Sequence, residues 1–243
     1  MGKYLGALLT LVVAALIVTG SVVALGGLAR GQPLLRSADA GTSTVDQSTL
    51  KHAHITLQTF PANPHEDPSW IQSHFPDGMD NGIAIPPEGD NQDWVTYWPS
   101  TNLVVPAHAI VTITVENYDG KTTLLNPFYA RAQGVVGNSI TVDGKATNTI
   151  DPADASHTFT IHSIPNATQP WLYVSVPITG EADDVQTDDA GFPDKPVVTE
   201  FSFITGAPGH YIWQCIDPCG SGFNGFGGPM STKGYMSGTL TVQ

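Results

Sequence analysis

The sequence predicts an all-β fold, a sandwich or barrel of short strands. Apolar and polar residues alternate with period two in several short runs; in one of them Val111, Ile113 and Val115 are separated by polar residues. Gly, Pro, Asn and Asp lie between these runs and indicate turns. After residue 50, no segment sustains an amphipathic helical period over three turns. Short strands separated by frequent turns are typical of β-sandwiches and barrels.

The first segment of the chain is an uncharged apolar run from Tyr4 to Leu28, with Lys3 before it and Arg30 after it. A run of this length can span a bilayer, so residues 1–30 are predicted to be a single-pass membrane anchor. The remaining chain has few lysines and no second apolar span, which predicts an extracytoplasmic location at the cell membrane. The alternative is a cleaved signal peptide, which predicts a secreted protein.

Two segments separate this anchor from the main domain. Residues 31–50 are rich in Gly, Ser, Thr and Ala without apolar periodicity, and they are predicted to form a flexible tether. Residues 51–94 contain many Pro, Asn and Asp residues, which predicts an irregular extension that aromatic side chains such as Trp70 and Trp94 hold against the domain.

The main domain is predicted to cover residues 95–243. Its first clear strand starts around Leu103 and stops at Asn117, where Tyr, Asp and Gly follow. Similar runs predict six further strands near 139–143, 157–162, 171–176, 199–204, 210–215 and 237–242.

The charge of the chain limits its partners. A formal net charge of -13 excludes nucleic-acid binding, because a polyanion is repelled, and favours a basic protein partner. The acidic run between Glu181 and Asp194 is predicted to be a solvated loop, since it lacks the regularly spaced oxygens and turn glycine of a calcium loop. No nucleophile elbow, zinc-protease motif or phosphate loop is present, which disfavours a hydrolase.

Sulfur-bearing residues flank the loop before the last predicted strand. Cys215 ends one strand, Cys219 follows it, and Met230 and Met236 precede the next. Soft sulfur donors placed between two antiparallel strands are suited to copper, since a strand end fixes the thiolate and the loop closes the coordination sphere.

Several segments resemble the cupredoxin family. Residues 105–117 resemble its opening strand, residues 157–161 its first ligand strand, and residues 207–215 the strand that carries the copper thiolate. The chain ends in the pattern Gly-x-Leu-x-Val, from Gly238 to Val242. The resemblance implies a cupredoxin-like Greek-key sandwich that binds copper and transfers single electrons.

The spacing of Cys215 and Cys219 is similar to that of the binuclear copper domain of cytochrome c oxidase subunit II. This likeness implies that His157 is the first histidine ligand, that the two cysteines bridge the metals, and that Met230 or Met236 supplies a thioether. It also implies a role near a respiratory complex.

The mononuclear site of sulfocyanin-like blue-copper proteins is the alternative that this family offers. It implies a smaller set of ligands, with His157, Cys215 and Met236. Both patterns require a second histidine in the loop. The mononuclear pattern has it where this chain has Gly220, and the binuclear pattern has it a few residues after Cys219, where residues 220–229 contain none.

The missing histidine leaves alternatives open. His52 and His54 share one face of an extended segment and, with His65 or His74, are candidates to supply imidazoles. His162 is expected to face away from His157, since five residues on a strand reverse the side, and His210 lies too far from the cysteine to share a metal. His108 is predicted to be an exposed turn residue. These seven histidines thus leave the second imidazole ligand unassigned.

Two functions without electron transfer also fit the cysteines. In an oxidising compartment Cys215 and Cys219 are expected to pair as a short disulfide, which predicts a copper-free module for assembly. Thioredoxin-like copper chaperones use the same cysteine spacing, but they place it before a helix in a βαβ frame.

Overall fold

The computed structural model describes residues 49–61, 95–163, 170–182, 184–187, 193–217, 228–231 and 233–243. All of these residues belong to one compact unit, 47–243. The predicted anchor and tether, residues 1–50, lie almost entirely outside the described residues. In the part of the chain that is described, no helix is long and apolar enough to cross a membrane.

The described residues form eleven β-strands and four short 3-10 helices, with no α-helix among them. The strands, numbered in chain order, are β1 (Lys51–Pro61), β2 (Val95–Trp98), β3 (Asn102–Val105), β4 (Ala109–Asn117), β5 (Ile140–Val142), β6 (Lys145–Thr147), β7 (Ala155–Ser163), β8 (Tyr173–Thr179), β9 (Val197–Ile204), β10 (Gly209–Gln214) and β11 (Ser237–Val242). The 3-10 helices are Pro127–Ala130, Val136–Asn138, Pro152–Asp154 and Gly228–Ser231.

The strands form two sheets. One has six strands in the order β2-β1-β4-β9-β5-β6, and the other has five in the order β3-β11-β10-β7-β8. Consecutive strands repeatedly cross from one sheet to the other, for example from β8 to β9 and from β9 to β10, as in Greek-key sandwiches. The predicted β-sandwich is therefore confirmed for the described residues, and each of the predicted strands corresponds to an observed one.

The core lies between the sheets and contains a cluster of aromatic side chains. Trp213 of β10 stacks on Phe159 of β7 with ring centroids 4.4 Å apart, and Tyr97 of β2 meets Trp213 edge-on at 4.9 Å. The Trp213 indole N–H donates to the carbonyl of Thr101 at 2.9 Å, which satisfies its polar atom in the interior. This aromatic cluster packs the two sheets against each other.

The prediction of an irregular segment over 51–94 is wrong for its first eleven residues. Lys51–Pro61 forms β1, which pairs in parallel with β4 over nine residue pairs and antiparallel with β2. The local signal was present, since Ala53, Ile55 and Leu57 alternate with exposed polar residues. Proline, asparagine and aspartate further along the segment obscured it. Residues 62–94 lie outside the described residues.

The 37 residues that separate Asp119 from His157 form a compact insertion of their own. The insertion contains β5, β6 and three of the 3-10 helices. It joins the six-stranded sheet through β5, which pairs with β9. Its backbone also returns to the start of β7, where Thr122 N–H donates to the carbonyl of Ala155 at 2.8 Å. The insertion therefore lies beside the ends of the strands that carry the candidate site.

Candidate metal centre

Cys215 follows β10 directly and is completely buried. Its backbone N–H donates to the carbonyl of Met236 at 2.9 Å, which ties the end of β10 to the start of β11. The backbone N–H of Thr158 donates to the sulfur at 3.4 Å, and the Thr158 hydroxyl accepts from Ile216 N–H at 2.8 Å. A backbone donor aimed at sulfur stabilises the thiolate, which is the form that binds metals.

His157 lies on β7, next to an irregularity in its pairing with β8, and only 1% of the residue is exposed. Its Nε2–H donates to Oδ2 of Asp119 at 2.8 Å; because a carboxylate only accepts, this nitrogen carries the hydrogen. The other ring nitrogen, Nδ1, is buried without a well-formed hydrogen bond. Buried polar atoms are nearly always satisfied, so Nδ1 is the unusual atom of this site.

Charges near the imidazole oppose the effect of its burial. Burial lowers the pKa of His157, but the hydrogen bond to Asp119 and the neighbouring Cys215 outweigh it and raise the pKa to about 9. The structure thus brings the histidine and the first cysteine of the predicted ligand set into direct electrostatic contact.

The two methionines of the predicted set are both buried. Met236 precedes β11, and its backbone N–H donates to the carbonyl of Pro229 at 3.1 Å. Met230 lies in the 3-10 helix Gly228–Ser231, beside that carbonyl. Because the backbone of Cys215 hydrogen-bonds to that of Met236, and Met236 to that of Pro229, these three sulfur-bearing residues lie at one end of the sandwich.

Asp217 adds a carboxyl group that the sequence analysis did not identify. It is buried, and one of its oxygens lies 3.1 Å from the hydroxyl of Thr122. Burial and, next, the charge of Cys215 raise the pKa of Asp217 to about 6. Thr122 belongs to the insertion, so this contact joins the insertion to the residues that follow β10.

The other histidines that the structure describes do not join this site. His52 and His54 are exposed on β1, and His54 Nε2 lies 2.8 Å from the Thr114 hydroxyl. His210 is exposed near the start of β10, and His108 is an exposed turn residue with a φ of 51°, as predicted. His162 is only half-buried. A surface imidazole cannot reach the buried thiol without rearrangement.

Cys219, His65 and His74 lie outside the described residues, so the predicted pairing of Cys215 with Cys219 and the predicted bridging role stay predictions. Among the residues that are described there is no disulfide, and no group of three or more His, Cys, Asp or Glu side chains is arranged to hold a metal ion.

Asp119 is the second carboxyl group that sequence reasoning missed. Asp119 comes two residues after the end of β4 and so lies at a sheet end, but no local pattern indicates that His157, far along the chain, lies there too. The pairing depends on how the insertion folds back on β7.

No known protein family matches the sequence, and no curated protein is detectably similar to it. The solved structures with similarity include auracyanin B, at 12% identity and a TM-score of 0.31, covering 80% of this chain and 91% of that one. Auracyanin from the photosynthetic bacterium Roseiflexus castenholzii has 14% identity and a TM-score of 0.31, covering 61% and 87%. Rusticyanin from Thiobacillus ferrooxidans has 14% identity and a TM-score of 0.32, covering 79% and 78%.

Proposed function

We propose that this chain is a cupredoxin-like electron carrier that binds copper through His157, Cys215 and Met236. One observation carries the proposal: the Nδ1 atom of a fully buried imidazole has no well-formed hydrogen bond, while the ring is fixed by Asp119 on one side and neighbours a buried thiol. A metal ion bound at Nδ1 satisfies that atom.

The chemistry of the donors suits copper. An imidazole nitrogen, a thiolate and a thioether are the donor types that copper electron-transfer sites use. Bound copper supplies a one-electron redox couple. The residues present fit this set in kind but are one histidine short, and Cys219 is the next sulfur donor along the chain. A centre with both cysteines is the binuclear form of the proposal, and a centre with Cys215 alone is the mononuclear form.

The surrounding protein supports this function in two ways. Backbone hydrogen bonds from Cys215 to Met236 and from Thr158 to the sulfur hold the metal-binding residues on rigid strand ends. Little rearrangement of these residues therefore accompanies a change in the charge of a bound copper ion. Complete burial of Cys215 excludes water from the sulfur.

The location and partner belong to the same proposal. The apolar run 4–28 supports a membrane-anchored protein whose domain lies outside the cytoplasm, near a respiratory complex. The net charge of -13 supports a basic redox partner, because opposite charges accelerate encounter.

The test is the visible absorption spectrum of the full chain in mild detergent, after its thiols are reduced, Cu(II) is added and the excess is removed. We expect an intense thiolate-to-copper charge-transfer band that Cys215→Ser and His157→Ala abolish. His210→Ala is the matched control, since His210 is an exposed histidine on the strand that ends at Cys215. Cys219→Ser is expected to remove a binuclear signal and to leave a mononuclear one.

A colourless protein that retains no copper would contradict this proposal and favour the second candidate, a copper-free structural or assembly module. The observation that favours this second candidate is the incomplete donor set among the described residues. In such a protein, His157, Asp119 and Cys215 form a buried polar cluster that stabilises the strand ends. A thioredoxin-like copper chaperone is less suited, because the described part has no α-helix to form its βαβ frame.

A further inference from the structure

The carboxylate of Asp119 is held in place by the backbone around it. Its Oδ1 accepts the N–H of Gly120 at 2.9 Å. The carbonyl of Asp119 accepts from Glu181 N–H at 3.0 Å and from the Asn117 side-chain amide at 3.1 Å. Since both the backbone carbonyl and Oδ1 of Asp119 accept hydrogen bonds, these contacts orient the carboxylate without any contribution from a histidine.

Asn117 extends this support to three strands. It is the last residue of β4 and is completely buried. Its amide also donates to the carbonyl of Thr179, at the end of β8, at 2.9 Å, and its Oδ1 accepts from the Thr59 hydroxyl of β1. The position of Asp119 is therefore set by contacts with both sheets rather than by its own loop.

The remaining oxygen, Oδ2, faces His157 Nε2 at 2.8 Å. This contact is not an ordinary surface pair, because the histidine side chain is 1% exposed and the aspartate side chain 19%. The carboxylate requires a hydrogen on Nε2, so the nitrogen that offers a lone pair once the ring has released its second proton is Nδ1. Metal-binding histidines commonly donate their other N–H to a carboxylate, which fixes the ring and makes it a stronger donor.

We propose that Asp119 is a positioning residue of the copper centre: it fixes the orientation of His157, selects Nδ1 as the metal-binding nitrogen, and strengthens the ring as a donor to Cu(II). This inference rests on the proposed function. It assigns to the end of β4 a role that neither the cysteines nor the methionines imply.

The experiment compares Asp119→Ala, Asp119→Asn and the control Asp154→Asn in the full chain in mild detergent. Asp154 is a suitable control because it lies in the insertion and pairs with Lys121 on the surface at 2.7 Å. Asparagine keeps an acceptor for Nε2–H but removes the charge, whereas alanine removes both.

The first measurement is nuclear magnetic resonance of the metal-free proteins. We expect a downfield, slowly exchanging Nε2–H signal of His157 in the wild type, in Asp119→Asn and in the control, and its loss in Asp119→Ala. Persistence of the signal in Asp119→Ala would overturn the assignment, because the ring would then be held without the carboxylate.

The second measurement is the affinity for Cu(II), by competition with a chelator, together with the reduction potential. We expect Asp119→Ala to lower the affinity about 10- to 100-fold, with partial recovery in Asp119→Asn. We expect the potential of Asp119→Asn to shift in the positive direction, because a weaker donor stabilises Cu(II) less. Unchanged affinity and potential in both variants would overturn the proposal.

These measurements separate the two hypotheses. If the wild type binds no copper, the proposed function fails and the role of Asp119 at a metal fails with it. If the wild type binds copper and the Asp119 variants match it, only the role of Asp119 is overturned. The resonance comparison needs no copper, so it also identifies a protein in which Asp119 holds the ring for a structural reason alone.

Discussion

At the scale of residues, the end of the sandwich concentrates ionisable groups in a buried setting. His157 interacts electrostatically with Asp119 and Cys215, Asp217 interacts with Cys215 and His157, and the pKa of both His157 and Asp217 is raised. Buried charge is costly unless it is compensated, and here Asp119 and Cys215 compensate the charge of His157, which in turn opposes the rise in the pKa of Asp217. The cluster therefore links the stability of this end to pH.

The stability of the metal-free protein is expected to fall as pH rises through about 9. The pKa of His157 rises from 6.5 to about 9 on folding, so its contribution is complete below 6.5 and is lost as the folded protein releases the proton. The contribution is about 3 kcal/mol, taken from the shift at about 1.4 kcal/mol for each pKa unit. Denaturant unfolding at pH 6.5, 8 and 9.5 measures it.

A comparison of two variants tests whether the contact between His157 and Asp119 causes this pH dependence. Asp119→Asn is expected to reduce this pH dependence, because it removes the main opposite charge, whereas Asp154→Asn is expected to leave it unchanged. Stability that stays flat or increases between pH 6.5 and 9.5 would contradict the assigned role of the histidine charge.

At the scale of elements, β10 and β11 approach the segment before β3 very closely. The carbonyl of Thr101 accepts both from the Trp213 indole and from the backbone N–H of Thr239, at 2.9 and 3.0 Å. Gly238 lies opposite Trp213 in the pairing of β10 with β11. A Cβ atom at Gly238 would lie 1.8 Å from the Thr101 carbonyl oxygen, so only glycine fits between these elements.

Gly238→Ala is expected to destabilise the protein by about 1–3 kcal/mol, because the overlap with backbone forces the strands apart. Gly206→Ala is the control, since a Cβ there meets no atom within 4 Å. Thermal unfolding followed by circular dichroism measures both. Equal melting temperatures for the two variants would contradict the close approach of β11 to Thr101.

At the scale of the whole molecule, β1 is an interior strand of the six-stranded sheet, between β2 and β4. Its loss exposes the backbone N–H and C=O groups of β4. It also removes the buried side chains of Leu57 and Phe60, which belong to β1, from the fold. An exposed edge of this length promotes aggregation. The domain therefore needs the segment that the sequence analysis treated as an extension.

A fragment of residues 95–243 is expected to aggregate or to lack a cooperative unfolding transition, whereas residues 47–243, the compact unit, are expected to fold. Size-exclusion chromatography and thermal unfolding compare the two fragments. Cooperative unfolding of both at the same temperature would show that β1 is dispensable.

The elements that depend on local pattern could be predicted from the sequence. Alternation over 110–116 and 237–242 fixed β4 and β11, and it placed Cys215 and Met236 at strand ends, because the side chains of a strand alternate faces with period two whatever its neighbours are. The turn position of His108 likewise predicted its exposure.

Which elements meet depends on the folded chain as a whole. The parallel pairing of β1 with β4 and the contact of Asp119 with His157, across the whole insertion, depend on register and on long-range packing. These are not encoded in the periodicity of any one segment. The strand ends that hold the thiol were therefore predictable, whereas the carboxylate that orients its neighbouring imidazole was not.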